Sequence, residues 1–272
     1  MNNNLDIYCV TNKDLKFLTE LNYNLAAVGK EKFTEQYIKC DNQINIFHKE
    51  QHYSELTFHY WFWKNRLKEK LKSNSTWIGF CQKRRFWLQN NKKNYQESII
   101  NKNDLLTVIP NEWKNYNAII CKPINLKVTK FSKLIKKGWK NIIKNPSILF
   151  DINKHSIKLH FDMFHGYGLI DKAINVMMEK DKKDFKEFIY NSKEFNPHIM
   201  FIAKPNIMNN WFTDLFYWLD ECEKVFGFEN LKGYETTRLY AYLAERYLSF
   251  WFKKYSEYLE WSYVFLDTEK NK

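Results

Sequence analysis

Glycine and proline are scarce in this sequence, which bears on how many domains it forms. The 272 residues include 7 Gly and 5 Pro, and no Gly/Ser-rich or Pro-rich stretch interrupts them. Flexible and semi-rigid linkers are built from such stretches. The length suffices for one large α/β domain or two small ones. Because no linker is evident, we predict one domain over residues 1–272.

Cysteine is scarce too, and apolar runs are short. The five cysteines lie far apart without a C-x-x-C pair, which argues against a zinc knuckle or redox motif and is typical of the reducing cytosol. The Asn-rich N-terminus lacks the layout of a signal peptide. No apolar run reaches the roughly 18 residues of a membrane-spanning helix. We therefore predict a cytoplasmic protein.

Two nucleotide-binding motifs are missing, whereas positive charge is abundant. Neither G-x-G-x-x-G nor a Walker pattern occurs, which argues against a Rossmann dehydrogenase or a P-loop ATPase. The net charge is +12 at pH 7, and aromatic residues make up 18% of the chain. The charge favours an anionic partner, which could be a nucleotide, a nucleic acid or an acidic membrane surface. The aromatic content predicts a substantial core.

Residues 53–87 are the most informative stretch. Ser54 is a suitable N-cap for a helix, and apolar residues follow at helical spacing: Leu56, Tyr60, Trp63, Leu67 and Leu71. Residues 77–81 predict a buried strand that runs into Lys83, Arg84 and Arg85. Ligands of open α/β sheets bind at the carboxyl ends of strands, and guanidinium groups match phosphate oxygens. The cations therefore suggest an anionic ligand, although a solvated basic turn would have the same sequence.

Three motifs lie within this stretch: Y-S-E-L-T at 53–57, W-F-W-K-N at 61–65 and G-F-C-Q-K-R-R-F-W at 79–87. They resemble the signature of a family of bacterial capsule and exopolysaccharide glycosyltransferases, catalogued as domain of unknown function 4422. That family has a Y-S-E-L-T helix ending in W-x-W-K-N, followed by a strand ending in G-L-C-H-Y-R-R-Y-F. Gln82 and Lys83 replace the family His and Tyr, and the arginine pair is retained. Looser similarity extends from residue 11 to about residue 247.

The resemblance implies a fold and a reaction. The fold would be α/β and GT-A-like, a single domain with a mixed central sheet flanked by helices and a helical C-terminal part. The reaction would move a sugar from a nucleoside-diphosphate donor, UDP being the expected nucleotide, to a growing capsular or other surface polysaccharide. The expected partners are the nucleotide-sugar donor and a saccharide or lipid-linked saccharide acceptor.

We expect the donor nucleotide and its diphosphate to bind polar and cationic residues from several segments. The first predicted strand, residues 5–10, ends in Thr-Asn-Lys where the family has Thr-His-Lys; a plain strand-to-loop turn is the alternative. The residues expected to bind the donor are Thr11, Asn12, Lys13, Tyr53, Ser54, Lys83, Arg84, Arg85, Asn196 and Arg246.

Four further residues are candidates for the chemistry. Glu55, Asp162 or Glu245 would be the base that deprotonates the acceptor hydroxyl. His165 would assist at the leaving group from a loop before a helix predicted at about 169–179, although a lone histidine is more often structural. In the helix predicted at about 236–255, Arg246 lies on an apolar stripe beside Glu245, so an internal ion pair is an alternative to ligand binding. The sequence does not distinguish inversion from retention.

The acidic pattern that usually holds a metal in nucleotide-sugar transferases is absent. No convincing D-x-D occurs, because Asp162 lacks a second acid nearby. We therefore predict no metal site and no cofactor, with the diphosphate met by Lys83, Arg84 and Arg85. A divalent ion, Mg²⁺ or Mn²⁺, remains the alternative if Asp162 pairs with a distant acid such as Asp151 or Glu55.

Residues 122–149 contain eight lysines and no acid, and we interpret them as a basic amphipathic insertion. Six apolar residues share one helical face: Phe131, Leu134, Ile135, Trp139, Ile142 and Ile143. Such a helix is typical of a membrane-surface element, which would place the protein peripherally at the inner face of the cytoplasmic membrane. A lysine-rich helix packed on the domain is the alternative.

Other segments complete the expected organisation. We predict strands at 26–29, 105–109, 118–121 and 196–202, a helix at 211–226 and a surface loop at 90–103. A single-stranded nucleic-acid-binding protein is the main functional alternative, and a non-catalytic membrane-surface scaffold is the second. The aromatics recur at core spacing and no RRM, KH or zinc pattern occurs, so we expect no nucleic-acid partner.

Overall fold

A computed structural model of the chain describes residues 5–73, 75–91, 102–126, 131–151, 154–233 and 235–268, with the backbone alone for 131–134. The strands are β1 (Leu5–Thr11), β2 (Asn24–Ala27), β3 (Ile38–Lys39), β4 (Trp77–Gln82), β5 (Arg85–Trp87), β6 (Ala118–Cys121), β7 (Ile124–Asn125), β8 (Glu194–Phe195), β9 (Phe201–Ala203), β10 (Tyr258–Trp261) and β11 (Tyr263–Phe265).

Helices make up much of the remainder. They are α1 (Lys16–Thr19), α2 (Glu50–Tyr53), α3 (Leu56–Asn65), α4 (Leu67–Lys70), α5 (Phe131–Lys144), α6 (Ile157–His165), α7 (Leu169–Asn175), α8 (Glu179–Asn191), α9 (Pro205–Phe226) and α10 (Leu239–Tyr255). Short 3-10 helices lie at Phe47–Lys49, Lys102–Asp104, Asn111–Asn115 and Pro146–Leu149. Among the helices described, none combines the length and apolarity needed to cross a bilayer.

The chain divides into two compact units. The first comprises the described residues within 1–122, 198–213 and 251–272, and the second those within 123–197 and 214–250. The long helices α9 and α10 each contribute residues to both units. The single domain predicted over 1–272 stays a prediction.

The first unit is built on a mixed sheet with the order β10-β6-β9-β4-β1-β2-β3. β1 is parallel to β2 and β4, and β2 is parallel to β3, whereas β9 is antiparallel to both β4 and β6. β5 turns back from β4 and pairs with β11. The carboxyl ends of β1, β2, β3 and β4 therefore lie at the same edge, and the predicted mixed sheet is confirmed.

Aromatic residues cover one face of this sheet. Phe58 and Phe62 of α3 are fully buried, and their rings lie 4.9–6.4 Å from those of Tyr8 on β1 and Phe80 on β4. The first turns of α9 add Phe212, 6.1 Å from Phe80. Tilted and edge-to-face ring pairs of this kind add stability beyond the area they bury. Helix α3 and the first turns of α9 are thus held on this face of the sheet by aromatic contacts.

Tryptophans dominate the opposite face. Trp77, Trp113 and Trp261 are buried there and form T-shaped pairs at 5.1 and 5.6 Å. The indole N–H of Trp87 donates to the Phe80 carbonyl at 3.0 Å, and that of Trp261 to the Leu88 carbonyl at 2.7 Å. Each of these two buried indole donors therefore has a backbone acceptor, which avoids the cost of an unpaired buried N–H.

The second unit is mainly helical. Phe185 of α8 packs edge-on against Trp218 of α9 and Tyr247 of α10, at 5.6 and 5.5 Å. The Tyr247 hydroxyl donates to the buried Asp181 carboxylate at 2.7 Å, and the Trp218 indole donates to the Ala173 carbonyl at 2.9 Å. The helical C-terminal part of the prediction is confirmed by α9 and α10.

The helix predicted to begin at Ser54 starts later and is interrupted. Ser54 follows α2 with φ 51° and ψ −128°, and α3 begins at Leu56 without a side-chain cap, so the prediction of Ser54 as its N-cap is wrong. α3 ends at Asn65, whose side-chain amide donates to the Trp61 and Ile44 carbonyls. Arg66 then leaves helical geometry before α4. The apolar stripe continues through this break and does not reveal it.

Two other predicted elements are corrected. Residues 105–109 form no full strand: Leu105 makes an isolated antiparallel bridge with Leu88, and beyond it the N–H groups of Thr107 and Val108 donate to the Gln89 side chain. Only residues 201–203 of the strand predicted at 196–202 are extended as β9. Residues 92–101 of the loop predicted at 90–103 lie outside the described residues. Strand 118–121 is confirmed as predicted.

Candidate functional site

The end of the first strand forms a tight polar turn. Thr11 closes β1, and its buried hydroxyl donates to the Lys13 carbonyl at 2.7 Å and accepts from the Lys13 N–H at 3.0 Å. The Thr11 carbonyl accepts from the Val28 N–H at 2.9 Å. The Thr11 hydroxyl therefore shapes the turn, and Asn12 and the exposed Lys13 are the side chains that the turn presents at the sheet edge.

A charged hydrogen bond joins the ends of β1 and β4. The two strands are parallel with Val10 opposite Gln82, so the residues that follow them meet. Lys83 Nζ donates to Asn12 Oδ1 at 2.8 Å, and both side chains are half-buried. Hydrogen bonds from an ionised donor are stronger than neutral ones. The ammonium group is thus held at the edge where open α/β sheets bind their ligands.

The two arginines are positioned by the turn between β4 and β5. The chain reverses at Lys83 and Arg84, whose carbonyls accept from Thr268 Oγ1 at 3.0 Å and from the Leu266 N–H at 2.9 Å. Arg84 Nη2 lies 4.0 Å from the Asp267 carboxylate. Arg85 Nη1 donates to Gln82 Oε1 at 3.1 Å. Both guanidinium groups are half-buried and are oriented by neighbouring residues.

A cavity of about 450 Å³ opens at the carboxyl ends of β2 and β3. Its lining includes Lys30, Lys32 and Lys39, the acids Glu31 and Asp41, and the aromatic rings of Phe33 and Phe47. Sequence reasoning missed these residues. The signal that was present is the G-K-E-K run directly after the second strand.

Gly29 connects this cavity to the β1 turn. It lines the cavity and has φ +81°, a backbone conformation that residues other than glycine rarely adopt. A Cβ built on Gly29 would lie 3.6 Å from Asn12 Cβ and 3.5 Å from the Glu50 carboxyl carbon. The cavity, Asn12 and Lys83 are therefore neighbours along one sheet edge.

The Tyr-Ser-Glu segment contains a strained residue. Tyr53 is buried with the Lys49 ammonium 5.7 Å from its ring centre. Ser54 is buried at positive φ, and its carbonyl accepts from the Thr57 N–H at 3.1 Å and from Thr57 Oγ1 at 2.8 Å. Such conformations cost about 1–3 kcal/mol and cluster at functional sites. Glu55 follows at the start of α3 and is half-buried.

In the second unit, Arg246 is buried among polar partners. Its side chain is 1% exposed, pairs with Glu245 through Nη1, and lies 3.9 Å from the Phe195 ring centre. Nη2 contacts His160 Nδ1 at 3.3 Å and His165 Nε2 at 3.4 Å. The internal ion pair considered from the sequence is present, and His160 is a partner that sequence reasoning missed.

The two histidines are neutral. Burial, together with the Arg246 charge, lowers the pKa of His160 to about 3 and that of His165 to about 2. Because a guanidinium only donates hydrogen bonds, both contacted nitrogens must be acceptors. The His165 ring stacks on Tyr242 at 3.8 Å. His165 ends α6 instead of lying in a loop, so its predicted position is wrong, and at neutral pH it carries no charge for a leaving group.

Asp162 and Asn196 have local partners in the same unit. Asp162 lies within α6, pairs with Lys158, and accepts from the Gly168 N–H at 3.0 Å, which holds the turn before α7. Asn196 is fully buried and exchanges hydrogen bonds with Ser249, at 3.1 Å from its N–H and 2.7 Å to its Oδ1. Both geometries stabilise the unit's own backbone.

The predicted site residues thus form two groups. In the first unit Lys83 contacts Asn12, and Arg84 and Arg85 follow in the same turn, while Tyr53, Ser54 and Glu55 lie at the α2–α3 junction. The second unit brings together His165, Glu245 and Arg246. Within the described ranges, no three His, Cys, Asp or Glu side chains are placed to hold a metal ion. Metal independence stays a prediction.

The family profile described as "Domain of unknown function (DUF4422)" matches residues 6–256. The chain belongs to this family. The match covers nearly the whole chain, including the strand edge and both groups of site residues. The resemblance inferred from the 53–87 stretch is therefore confirmed. No curated protein sequence matches the chain significantly.

A solved structure shows the same fold. It is the apo structure of WbbM, described as a bifunctional glycosyltransferase, and it superposes with a TM-score of 0.68 at 18% sequence identity. The alignment covers 97% of this chain and 45% of WbbM, so this chain spans less than half of that protein's length. The comparison establishes the fold, a mixed central sheet flanked by helices.

Proposed function

We propose that this protein is a glycosyltransferase that moves a sugar from a nucleoside-diphosphate donor, with UDP the expected nucleotide, to a growing surface polysaccharide. The fold class in this proposal is GT-A-like. Fold similarity alone would not support an activity. The proposal therefore depends on the residues at the sheet edge.

The observation that carries the proposal is the Lys83–Asn12 contact beside the lysine-lined cavity. A nucleoside diphosphate combines a planar base, a ribose and two phosphates. The cavity of about 450 Å³ falls within the usual size range for small-ligand sites. Phe33 and Phe47 offer it apolar surface for the base, and the fixed ammonium of Lys83 offers charge for the phosphates.

The arrangement suits departure of a diphosphate. The bond between the anomeric carbon and the diphosphate oxygen breaks, the acceptor oxygen bonds to that carbon, and the acceptor proton passes to a base. Negative charge develops on the departing oxygen, and preorganised positive charge there lowers the barrier. In this proposal Lys83, Arg84 and Arg85 provide that charge.

The predicted bases differ in their surroundings. Glu55 is half-buried at the α2–α3 junction of the first unit, beside the strained Ser54. Glu245 is engaged by Arg246, and Asp162 by Lys158 and the Gly168 N–H. A base must be able to accept the acceptor's proton, which favours the half-buried Glu55 among the three.

The test is a screen of nucleotide-sugar donors for hydrolysis, with thermal unfolding as a second readout. A ligand at about 100 times its Kd stabilises the folded state by about 2.7 kcal/mol, so UDP should raise the Tm by several degrees. Oligonucleotides should not. Stabilisation by oligonucleotides, with no response to any nucleotide or nucleotide sugar, would favour the nucleic-acid-binding alternative and contradict the proposal.

A further inference from the structure

Helix α5 presents an apolar stripe to solvent. Ile135, Trp139 and Ile143 follow at spacings of four, and their exposed fractions are 48%, 53% and 70%. Phe150, just beyond the helix, is 87% exposed. The buried Gly138 and the half-buried Ile142 mark the side of α5 that packs on the protein. The apolar face predicted from the sequence is thus split between the protein and the solvent, because Ile142 turns inward and Ile143 outward.

A row of lysines borders this stripe. Lys136, Lys140 and Lys144 lie one step further round the helix, and all three are exposed. In the described part of the chain, no ion pair involving them is found, whereas Lys137 pairs with Glu235. The Lys140 and Lys144 ammonium groups flank the Tyr167 ring at 5.7 and 5.2 Å. The stripe is therefore bordered by exposed positive charge, of which the Lys144 ammonium also interacts with Tyr167, Asp162 and Asp171.

Exposed large apolar side chains in a contiguous row mark an interaction surface. A bilayer with anionic headgroups fits both parts of this one, because acyl chains accept the apolar side chains and phosphates accept the ammonium groups. Lysine stems can extend along apolar surface while their charges reach the headgroups. Amphipathic helices that lie in the plane of a membrane combine the same two features.

We propose that the α5 face, defined as Ile135, Trp139, Ile143, Lys136, Lys140 and Lys144, docks the protein on anionic membrane surfaces. The helix lies parallel to the bilayer, with Trp139 at the headgroup level. The proposal is independent of the glycosyl-transfer reaction, because membrane binding is measured without donor or acceptor.

Co-sedimentation with phosphatidylcholine vesicles, with and without phosphatidylglycerol, tests the proposal. We expect binding to the anionic vesicles and weakening with added salt. Lys136→Gln/Lys140→Gln/Lys144→Gln should reduce binding roughly 100-fold, since each basic residue near an anionic surface contributes about a factor of five. The matched control Lys172→Gln/Lys183→Gln/Lys186→Gln removes the same charge from exposed positions on α7 and α8, and should bind nearly as wild type.

The apolar stripe has its own variant. Trp139→Ser/Ile143→Ser should lose binding to anionic vesicles while keeping the wild-type Tm. Ile44→Ser, at an isoleucine 58% exposed in the first unit, is its control and should bind normally. Equal binding to neutral and anionic vesicles, no binding to either, or equal losses in variants and controls would overturn the proposal. A second result would also overturn it: the wild type forms dimers in light scattering but binds no vesicles, and Trp139→Ser/Ile143→Ser abolishes the dimers. The stripe would then be a protein interface.

Discussion

His59 is buried among phenylalanine rings. Its exposed fraction is 1%. The centre of its ring lies 4.1 Å from that of Phe80, and 5.9 and 6.0 Å from those of Phe201 and Phe212. Neither ring nitrogen has a hydrogen-bond partner in the described part of the chain. Burial lowers the pKa of His59 from 6.5 to about 3. The histidine is therefore neutral, and its polar atoms oppose burial.

This histidine gives the fold a pH dependence of known sign. Between pH 6.5 and 3 the unfolded chain protonates the residue and the folded chain does not, so the free energy of unfolding decreases as pH falls below about 6.5. The same direction holds for His160 and His165. Stability from these three groups is fully present above the unfolded pKa.

His59→Phe should raise the free energy of unfolding by about 1–3 kcal/mol at pH 7, because it removes two buried polar atoms without partners. It should also flatten the pH dependence between pH 6.5 and 5, by up to about 1.4 kcal/mol per pH unit. Urea unfolding at several pH values measures both. An unchanged slope would mean that His59 titrates normally in the folded protein.

The cations of the β4–β5 turn also give predictions for single residues. Lys83→Gln should weaken UDP binding about 10- to 100-fold, the usual loss when a hydrogen bond to a charged group is removed. Arg84→Ala and Arg85→Ala should abolish transfer but retain the fold, since the half-exposed Arg84–Asp267 pair contributes at most about 1 kcal/mol. Calorimetry and turnover assays measure these effects.

Lys70→Gln is the matched control for this prediction. Lys70 pairs with Asp6 at 2.8 Å, near the amino end of β1, so its loss should leave UDP affinity and turnover unchanged. Near-wild-type turnover in both arginine variants would remove them from the mechanism. A Lys70→Gln variant as impaired as Lys83→Gln would show that overall charge, and not the strand edge, governs binding.

At the scale of elements, the contact of β4 with β9 depends on a glycine. Gly79 lies opposite Ile202 in the antiparallel pair, and a Cβ at Gly79 would be 2.6 Å from Ile202 Cγ1. Gly79→Ala should therefore cost about 1–3 kcal/mol of unfolding free energy through overpacking. The double variant Gly79→Ala/Ile202→Ala should cost less than the sum of the single variants, as measured by a double-mutant cycle. Additive costs would show that the two strands move apart to accommodate the added Cβ, so that its cost does not depend on the Ile202 side chain.

The elements that were predicted correctly have patterns whose length and flanking residues favour one type of structure. The apolar runs of β1, β4 and β6 are short, continuous and followed by polar turns, which favours buried strands. The helices α9 and α10 have long periodic stripes. The misplacement of His165 has a different origin. Gly166 and Gly168 indicated a loop that includes His165, whereas α6 continues to His165 and the loop begins at the first glycine.

The part of the candidate site that follows directly from the strands was predictable from the sequence. Residues that follow strands, such as Asn12 and Lys83, can be placed at one edge once the strands are assigned as parallel. Contacts between segments distant in sequence, such as His160 with Arg246, have no local signal. The strain at Ser54 likewise arises from the junction of α2 and α3, which propensities place inside one helix.

At the scale of the whole molecule, metal dependence distinguishes two ways of neutralising the diphosphate charge, by side-chain cations or by a divalent ion. In the proposed reaction side-chain cations neutralise it directly, and they would repel a divalent ion placed beside them. We predict that transfer survives EDTA and gains little from Mn²⁺ or Mg²⁺, as measured by turnover before and after chelation. Loss of activity in EDTA with recovery in Mn²⁺ would contradict this and make Asp162 the first residue to mutate.

The strand order of the first unit also constrains how the chain is made. β6 ends at Cys121, yet it pairs with β10, which begins at Tyr258. A ribosome therefore completes most of the second half of the chain before that side of β6 is covered. Unpaired strand edges are templates for association with other chains. We therefore expect this edge of β6 to be a site of unwanted association in the nascent chain until Trp261, the partner of Cys121, has emerged, however stable the finished sheet becomes.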